Sequence, residues 1–430
     1  MAGGVPAGAA PADRAEALAL VEGTARLLFT NGQTTERTIH AVVRLGKALG
    51  FSFEVTARWG EFTLRILERD GSDQIMVLAL APAGVEMHKV METLHLVDRV
   101  CAGTMSVADA RARLTVISHL PPVSLLRFAS FAALGAAALA VIGGATDWRV
   151  LLIILASAFA GACLRRGLAH TFASPLPQPL GAAFLAGLAA SASAIFLPPE
   201  SVFLIALCPC MVLVPGPHLL NGTLDVAHLR LPLGGARLAY GGIVILLISI
   251  GLISGLSSGG RNLPLTGGSD DVPLLVDMLS AGLAVAAYGT FFSMPWRMLP
   301  FPMAVGMGGH ALHWAAQAAG SSLALSAFLA CLFVGLVVTP LANRLHLPFA
   351  AVAFASVVSL VPGSFVFRMC DNLLQLVGAP AAEASSLLLA AMVNGTNAGA
   401  ILVAMAFGLI LPKTLIEDLI PPRDPPPARK

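Results

Sequence analysis

Beyond Arg127 the chain runs for stretch after stretch of about twenty residues with hardly a charged side chain, LLIILASAFAGACL (151–164) being one example. Few features constrain a fold more. Residues overall are 57% hydrophobic and 12% charged, against roughly 25% charged in an average soluble protein, and mean hydropathy is +0.81. So much apolar surface cannot be buried in one aqueous core and needs lipid as solvent. Within lipid, backbone N–H and C=O groups must be paired inside the segment, which makes each segment a helix. Ten segments approach the ~20 residues that a bilayer requires: 124–144, 149–164, 178–197, 201–217, 237–257, 272–292, 300–320, 322–341, 348–368 and 384–411. The most polar, 300–320, is Gly-rich and holds two histidines.

Residues 1–120 differ, with an ordinary share of Arg, Lys, Asp and Glu. A Gly/Ala/Pro-rich disordered tail (1–12) and a cytoplasmic α/β domain (13–120) are expected. Helical spacing covers Ala12 to Phe29, Thr34 to Leu49, Leu94 to Ala102 and Val107 to Ile117. Strand-like pieces are FSFEVT (51–56), EFTLRIL (61–67) and QIMVLAL (74–80), with turns at Trp59-Gly60 and Asp70-Gly71. The first thirty residues lack the basic region and apolar core of a signal peptide. With this domain inside, Arg165, Arg166, Arg230, Arg237, Arg297, Arg344 and Lys413 fall on inner loops, and only Arg149, Arg261 and Arg368 on outer ones. That asymmetry places both termini in the cytoplasm of a multi-pass inner-membrane protein, with a cytoplasmic tail at 412–430.

The sequence LVPG occurs at 213–216 and again at 360–363. Pro removes a backbone donor and Gly loosens the chain, so each copy should break its helix. The copies lie on the fourth and ninth segments, which is the fourth of each five. An acid follows each proline, Asp225 after ten residues and Asp371 after nine. The chain therefore reads as two five-helix repeats, 121–258 and 272–411, inverted because five is odd. In such transporters, Pro/Gly-broken helices at matching positions mark the substrate site. Freed backbone groups at Pro215, Gly216, Pro362, Gly363 and Ser364 can hold a small zwitterion, with Asn221, Thr223, Asn394 and Asn397 as polar neighbours. Asp225, Asp277 and Asp371 in or near apolar segments, and His310 beside His313, are candidates for proton coupling.

Three stretches then resemble the threonine/serine exporter family: LLFTNGQTTERTIHAVVRLGKALGFSFEVT, VPGPHLLNGTLDVAHLRLPLGGARL and LHLPFAAVAFASVVSLVPGSFVFR. The resemblance implies ten spans, a cytoplasmic N-terminal domain and proton-driven export of small hydroxy amino acids, with small dicarboxylates as other substrates of such proteins. The expected partners are a small-molecule substrate, protons and the bilayer, with a homo-oligomer left open. The sequence lacks a P-loop, an H-E-x-x-H motif and a Lys/Arg run, so ATP-driven transport, metalloprotease chemistry and nucleic-acid binding are unsupported, and no cofactor or metal is expected. Two rivals stand beside the exporter: a channel of the same architecture, and a membrane-anchored hydrolase using Glu36, Arg37, His40, Glu54, Glu61, His88 and His95 of the N-terminal domain.

Overall fold

The structure, a computed structural model, describes residues 11–67, 73–82, 84–264, 272–345 and 347–419. Residues 1–10 of the expected tail, the expected Asp70-Gly71 turn and residues 420–430 lie outside that set. Pro11 and Ala12 already belong to a helix.

The N-terminal unit comprises α1 (Pro11–Thr30), α2 (Thr35–Ala48), α3 (Met87–Cys101) and α4 (Val107–Ser118) around an antiparallel sheet of β1 (Phe53–Arg58), β2 (Glu61–Ile66) and β3 (Gln74–Leu78). The strands pair in the order β1-β2-β3. Arg58 faces Glu61 across Trp59-Gly60, and Gly60, second in the turn, takes a φ of +84° that glycine adopts without steric cost. Phe62, Leu64 and Ile66 alternate inward from β2 onto Phe29 and Leu45. Helix α3 starts seven residues before the expected Leu94, because Met87, Val90 and Thr93 supply a buried stripe.

The remaining helices are α5 (Leu125–Ile142), α6 (Trp148–Thr171), α7 (Pro177–Ser193), α8 (Pro199–Met211), α9 (Gly216–Ala227), α10 (Leu231–Ser257), α11 (Leu274–Phe291), α12 (Pro300–Ala318), α13 (Leu323–Arg344), α14 (Phe349–Val357), α15 (Gly363–Leu376) and α16 (Ala381–Leu419). Six of them are long and apolar enough to cross a membrane, and eight spans result if the bent pairs α8–α9 and α14–α15 count as one each. The other two expected spans correspond to α7, of 17 residues, and α12, of 19. Leu152, Phe159, Leu246, Ile250, Leu336 and Phe407 point outward, an apolar exterior that suits hydrocarbon rather than water. The chain is thus a polytopic helical membrane protein. Helix α10 begins two turns earlier than expected, and α16 continues through Pro412 to Leu419, so the tail expected from 412 starts as helix.

Partners recur between the halves. Helix α5 packs on α6, α6 on α7, α7 on α10 and α9 on α10, while α11 packs on α12, α12 on α13, α13 on α16 and α15 on α16. Helices α8 and α14 each touch the first three helices of their own half, and α5 and α11 pack on one another between the halves. Glycines set the closest approaches in both. A Cβ on Gly255 would fall 2.3 Å from the Phe184 carbonyl oxygen of α7, and one on Gly408 would fall 2.7 Å from the Phe328 carbonyl oxygen of α13. Small residues at helix crossings are how membrane helices gain contact without a hydrophobic driving force.

The N-terminal unit docks on one end of this bundle. The Met87 N–H donates to the Phe292 carbonyl at 2.9 Å, Arg37 donates to the Ala342 carbonyl at 3.4 Å, and Trp59 packs on Tyr240 with ring centroids 5.2 Å apart. Leu233 of α10 enters the core of the N-terminal unit.

Candidate functional site

Both LVPG segments adopt one conformation. Pro215 has φ −82° and ψ 56°, and Pro362 has φ −76° and ψ 49°, close to an inverse γ-turn. The closing bonds match: the Gly216 N–H reaches the Val214 carbonyl at 2.9 Å and the Gly363 N–H the Val361 carbonyl at 2.8 Å. Pro holds φ near the required value and brings no N–H that would continue the helix. The axis turns by 60° at the first break and 71° at the second. The breaks lie inside bent pairs, not at the span ends where the segment limits 201–217 and 348–368 had put them.

The breaks also meet. The Gly216 backbone lies against the ring of Phe354 on α14, so close that an added Cβ would fall 1.8 Å from the ring. Gly363 lies against the Met211 side chain of α8, with 3.2 Å from an added Cβ to Cγ. Between them stands Tyr288 of α11, whose hydroxyl donates to the Met211 carbonyl and whose ring meets Phe354 edge-on at 5.9 Å. That carbonyl, near the end of α8, also accepts the Val214 N–H at 3.3 Å. Each half thus contributes its break and a wall for the other's break. Tyr288 and Phe354 were not expected from sequence; apolar neighbours on both sides disguise them as ordinary packing.

Of the polar neighbours, few join this centre. Ser364 sits half-buried in the first turn of α15. Asn221 is buried but donates to the Gly32 carbonyl at 3.3 Å, which ties α9 to the N-terminal unit. The Thr223 hydroxyl bonds back to the Leu219 carbonyl at 2.9 Å. Asn394 bonds to the Ala390 carbonyl of its own helix at 2.9 Å, and Asn397 is exposed on α16.

The four titratable candidates separate into three places. Asp225, 2% exposed, faces Arg237 Nε at 3.2 Å and Arg230 at 3.9 Å. Arg230 in turn pairs with Glu36, and Arg237 donates to the Thr35 hydroxyl at 3.4 Å, so this cluster joins α9 and α10 to α2. Asp371 accepts Gln375 Nε2 at 2.7 Å and the Leu263 N–H. Leu263 follows the far end of α10, which at 27 residues spans about 40 Å. The two acids therefore lie on opposite sides of the breaks. Asp277 and His310 form a third place: Oδ2 to Nδ1 is 2.7 Å between residues 7% and 3% exposed. The second ring nitrogen of His310 has no partner among the described residues, and the His313 ring lies 6.1 Å away.

Of the residues considered for a hydrolase, Glu36 pairs with Arg230 ahead of α10 and Arg37 bonds to the Ala342 carbonyl of α13, Glu54 pairs with Arg65 at 3.1 Å, and Glu61 accepts from Thr63 at 2.8 Å. In the N-terminal unit, burial is the largest influence on Glu36 and opposes ionisation. The hydrogen bond and charge of Arg230 outweigh it and leave the carboxyl below its usual 4.5. Burial depresses His88 below its usual 6.5. Among the described residues no three His, Cys, Asp or Glu side chains could hold a metal ion.

Two broken helices that meet within a bundle of lipid-facing helices are an arrangement found in polytopic membrane transport proteins. Two family profiles match the chain, one described as "Putative threonine/serine exporter" over residues 20–258 and one as "Threonine/Serine exporter, ThrE" over residues 277–415. The chain belongs to the threonine/serine exporter family, a family of transporters. No solved structure matches it.

Proposed function

We propose that the chain exports small amino acids of the threonine/serine kind across the inner membrane, coupled to protons. The observation that carries this reading is the meeting of two identically broken helices, one from each half. In the proposed arrangement ten spans form two inverted five-helix repeats. The N-terminal α/β unit and both termini are cytoplasmic. The end that binds the N-terminal unit also carries Arg166, Arg230 and Arg237, the side the Arg asymmetry assigns to the cytoplasm.

The substrate lies between the breaks. The N-termini of α9 and α15 begin there, at Gly216 and Gly363, and present the positive ends of their dipoles to a carboxylate. The ammonium faces carbonyls freed at the ends of α8 and α14, the positions where unwound backbone coordinates cations in such folds. One half then rocks against the other, with α5 and α11 as the most extensive contact between halves.

Asp277 and His310 supply the coupling. A buried carboxylate–imidazole pair accepts one proton on the imidazole without stranding a charge, whereas loss of that proton leaves the carboxylate alone. Asp277 and Tyr288 are eleven residues apart on α11, roughly 16 Å along the axis. The pair and the breaks therefore couple through the tilt of one helix, not by contact. Asp225 is given a different role, as the anchor of the N-terminal unit.

The test is flux of labelled threonine, serine and succinate in proteoliposomes with and without an imposed proton gradient. Gradient-driven threonine or serine flux, abolished by Pro362→Ala and uncoupled by Asp277→Asn, is the expected result. Flux that ignores the gradient in the wild type would mark a channel, and succinate flux in place of amino-acid flux would change the substrate.

A further inference from the structure

Beside the first break lies a cavity with a cation in its wall. It is bounded by Phe128 of α5, Ser157 and Arg165 of α6, Pro209 and Leu213 around the break, and Phe291 of α11. Positions open to a water centre fill about 20 Å³. One water needs about 10–15 Å³ on that measure, so the space suits a carboxylate group and not a whole amino acid.

Arg165 is the one charged residue of that lining. Its guanidinium stands 4.5 Å from the Phe291 ring centroid and 6.0 Å from that of Phe128. Its Nη1 is buried with no hydrogen-bond partner among the described residues. Among the described residues, the ionisable groups whose fields reach it are Arg166, Tyr240 and Tyr288, and none is a carboxylate. Nearby cations are already occupied: Arg166 donates to the Val123 carbonyl at 3.0 Å, and Arg127 donates to the Met294 carbonyl at 3.0 Å and stacks on Trp296. Asp225 is neutralised by Arg237 and Arg230, and Asp277 is hydrogen-bonded to His310. Arg165 as a whole is half-buried; aromatic faces offset only part of the desolvation of its guanidinium, and a cation with a buried, unpaired Nη1 and no counter-ion among the described residues still carries a penalty. Such a group is retained where an anion comes and goes.

We propose that Arg165 is the carboxylate-binding residue of the transport site, reading the anionic end of the substrate from the α6 side while the first break borders the other side. This deepens the exporter reading and rests on it for the identity of the substrate. Helix α8 carries Pro209 within it and ends two residues later, at Met211, so the Ile205 carbonyl loses its helical donor and the wall beside Leu213 can yield to admit the rest of the ligand. The planar fork of Arg suits a carboxylate in two-point contact, which a lysine cannot reproduce.

The experiment measures binding apart from transport. Titration calorimetry on the purified full chain compares L-threonine, L-threoninamide and succinate for the wild type, Arg165→Gln and Arg165→Lys. Size-exclusion profiles and melting curves establish that each variant is folded, and Arg149→Gln, at the opposite end of α6, serves as a surface control. We expect the wild type to bind threonine at least about tenfold more tightly than its amide, Arg165→Gln to bind both equally weakly, and Arg165→Lys to keep part of the preference. A wild type with no preference for the carboxylate, or a folded Arg165→Gln that keeps it, overturns the proposal. Tighter binding of succinate that also depends on Arg165 keeps the carboxylate site and moves the substrate class. If threonine binds through Arg165 but no proteoliposome flux follows, the exporter reading fails and the anion site stands. If flux is intact in Arg165→Gln, the site fails and the exporter stands.

Discussion

If the two breaks close on each other, their glycines should respond unequally to a single methyl group. A Cβ at Gly216 would lie 1.8 Å from Cε2 and Cζ of Phe354, whereas carbon atoms in contact sit about 3.5–4.0 Å apart. The ring would have to retreat by about 1.7 Å. It has nowhere to go, being 6% exposed and backed by Tyr288. Overpacking costs about 1–3 kcal/mol, and this displacement calls for the upper end. At Gly363 the neighbour is the flexible side chain of Met211, 3.2 Å away at Cγ. A few tenths of an ångström suffice there, and reduced freedom of the unfolded chain returns about 0.4–1 kcal/mol. Gly363→Ala should therefore stay within about 0.5 kcal/mol of the wild type. Gly216→Ala should fall about 2–3 kcal/mol below it, a factor of roughly 30–150 in the folding equilibrium. Phe354→Ala costs about 3–5 kcal/mol by itself. Combined with Gly216→Ala it should cost about 2 kcal/mol less than the sum, since the clash is gone. Tryptophan fluorescence during SDS titration in mixed micelles reads all four stabilities. Equal effects at the two glycines, or additivity with Phe354→Ala, would refute the packing of break against break.

Three other perturbations address the rest of the molecule. Asp225→Asn strands the buried Arg237 and should cost about 3–5 kcal/mol; Asp225→Asn with Arg237→Met should recover much of that. Protease cleavage near residues 119–124 reports the loosened N-terminal unit. Burial holds the His88 pKa below 6.5, so the unfolded state takes up its proton more readily. Stability is then complete above about pH 6.5 and erodes as pH falls below it, with a further loss below about pH 4.5 as Glu36, depressed by Arg230 after burial is overcome, becomes protonated. His88→Gln should flatten the first step of a melting-temperature profile and leave the second. Gly255→Ala, aimed at the Phe184 carbonyl 2.3 Å away, should destabilise by about 2–3 kcal/mol, while Gly242→Ala, with nothing within 4 Å, should be silent on the same melting curve.

Much of the fold was legible in the chain. The strands of the N-terminal unit fell within two residues of their expected places, because alternation onto a buried face is a local signal. The breaks were legible for the same reason: Pro215 and Pro362 act on their own helices whatever surrounds them. The sites were less so. Asn221, expected to bind substrate, and Asp225, expected to couple protons, follow the first break closely, yet both contact the N-terminal unit or the arginines bound to it, since a twelve-residue helix carries them away from the break. Asp277 and His310 were named separately, but nothing in residues 33 positions apart announces a hydrogen bond.

What the sequence by itself determined is one-dimensional chemistry: which stretches prefer lipid and where a helix loses its donor. Only the tertiary structure decided that Gly216 rests on Phe354, that Tyr288 holds the Met211 carbonyl, that Arg237 neutralises Asp225, and that Arg165 is left facing a cavity. The physical reason is distance along the chain. Hydropathy and backbone geometry act over a few residues, whereas pairing, burial and an unsatisfied charge exist only once helices far apart in sequence are packed side by side.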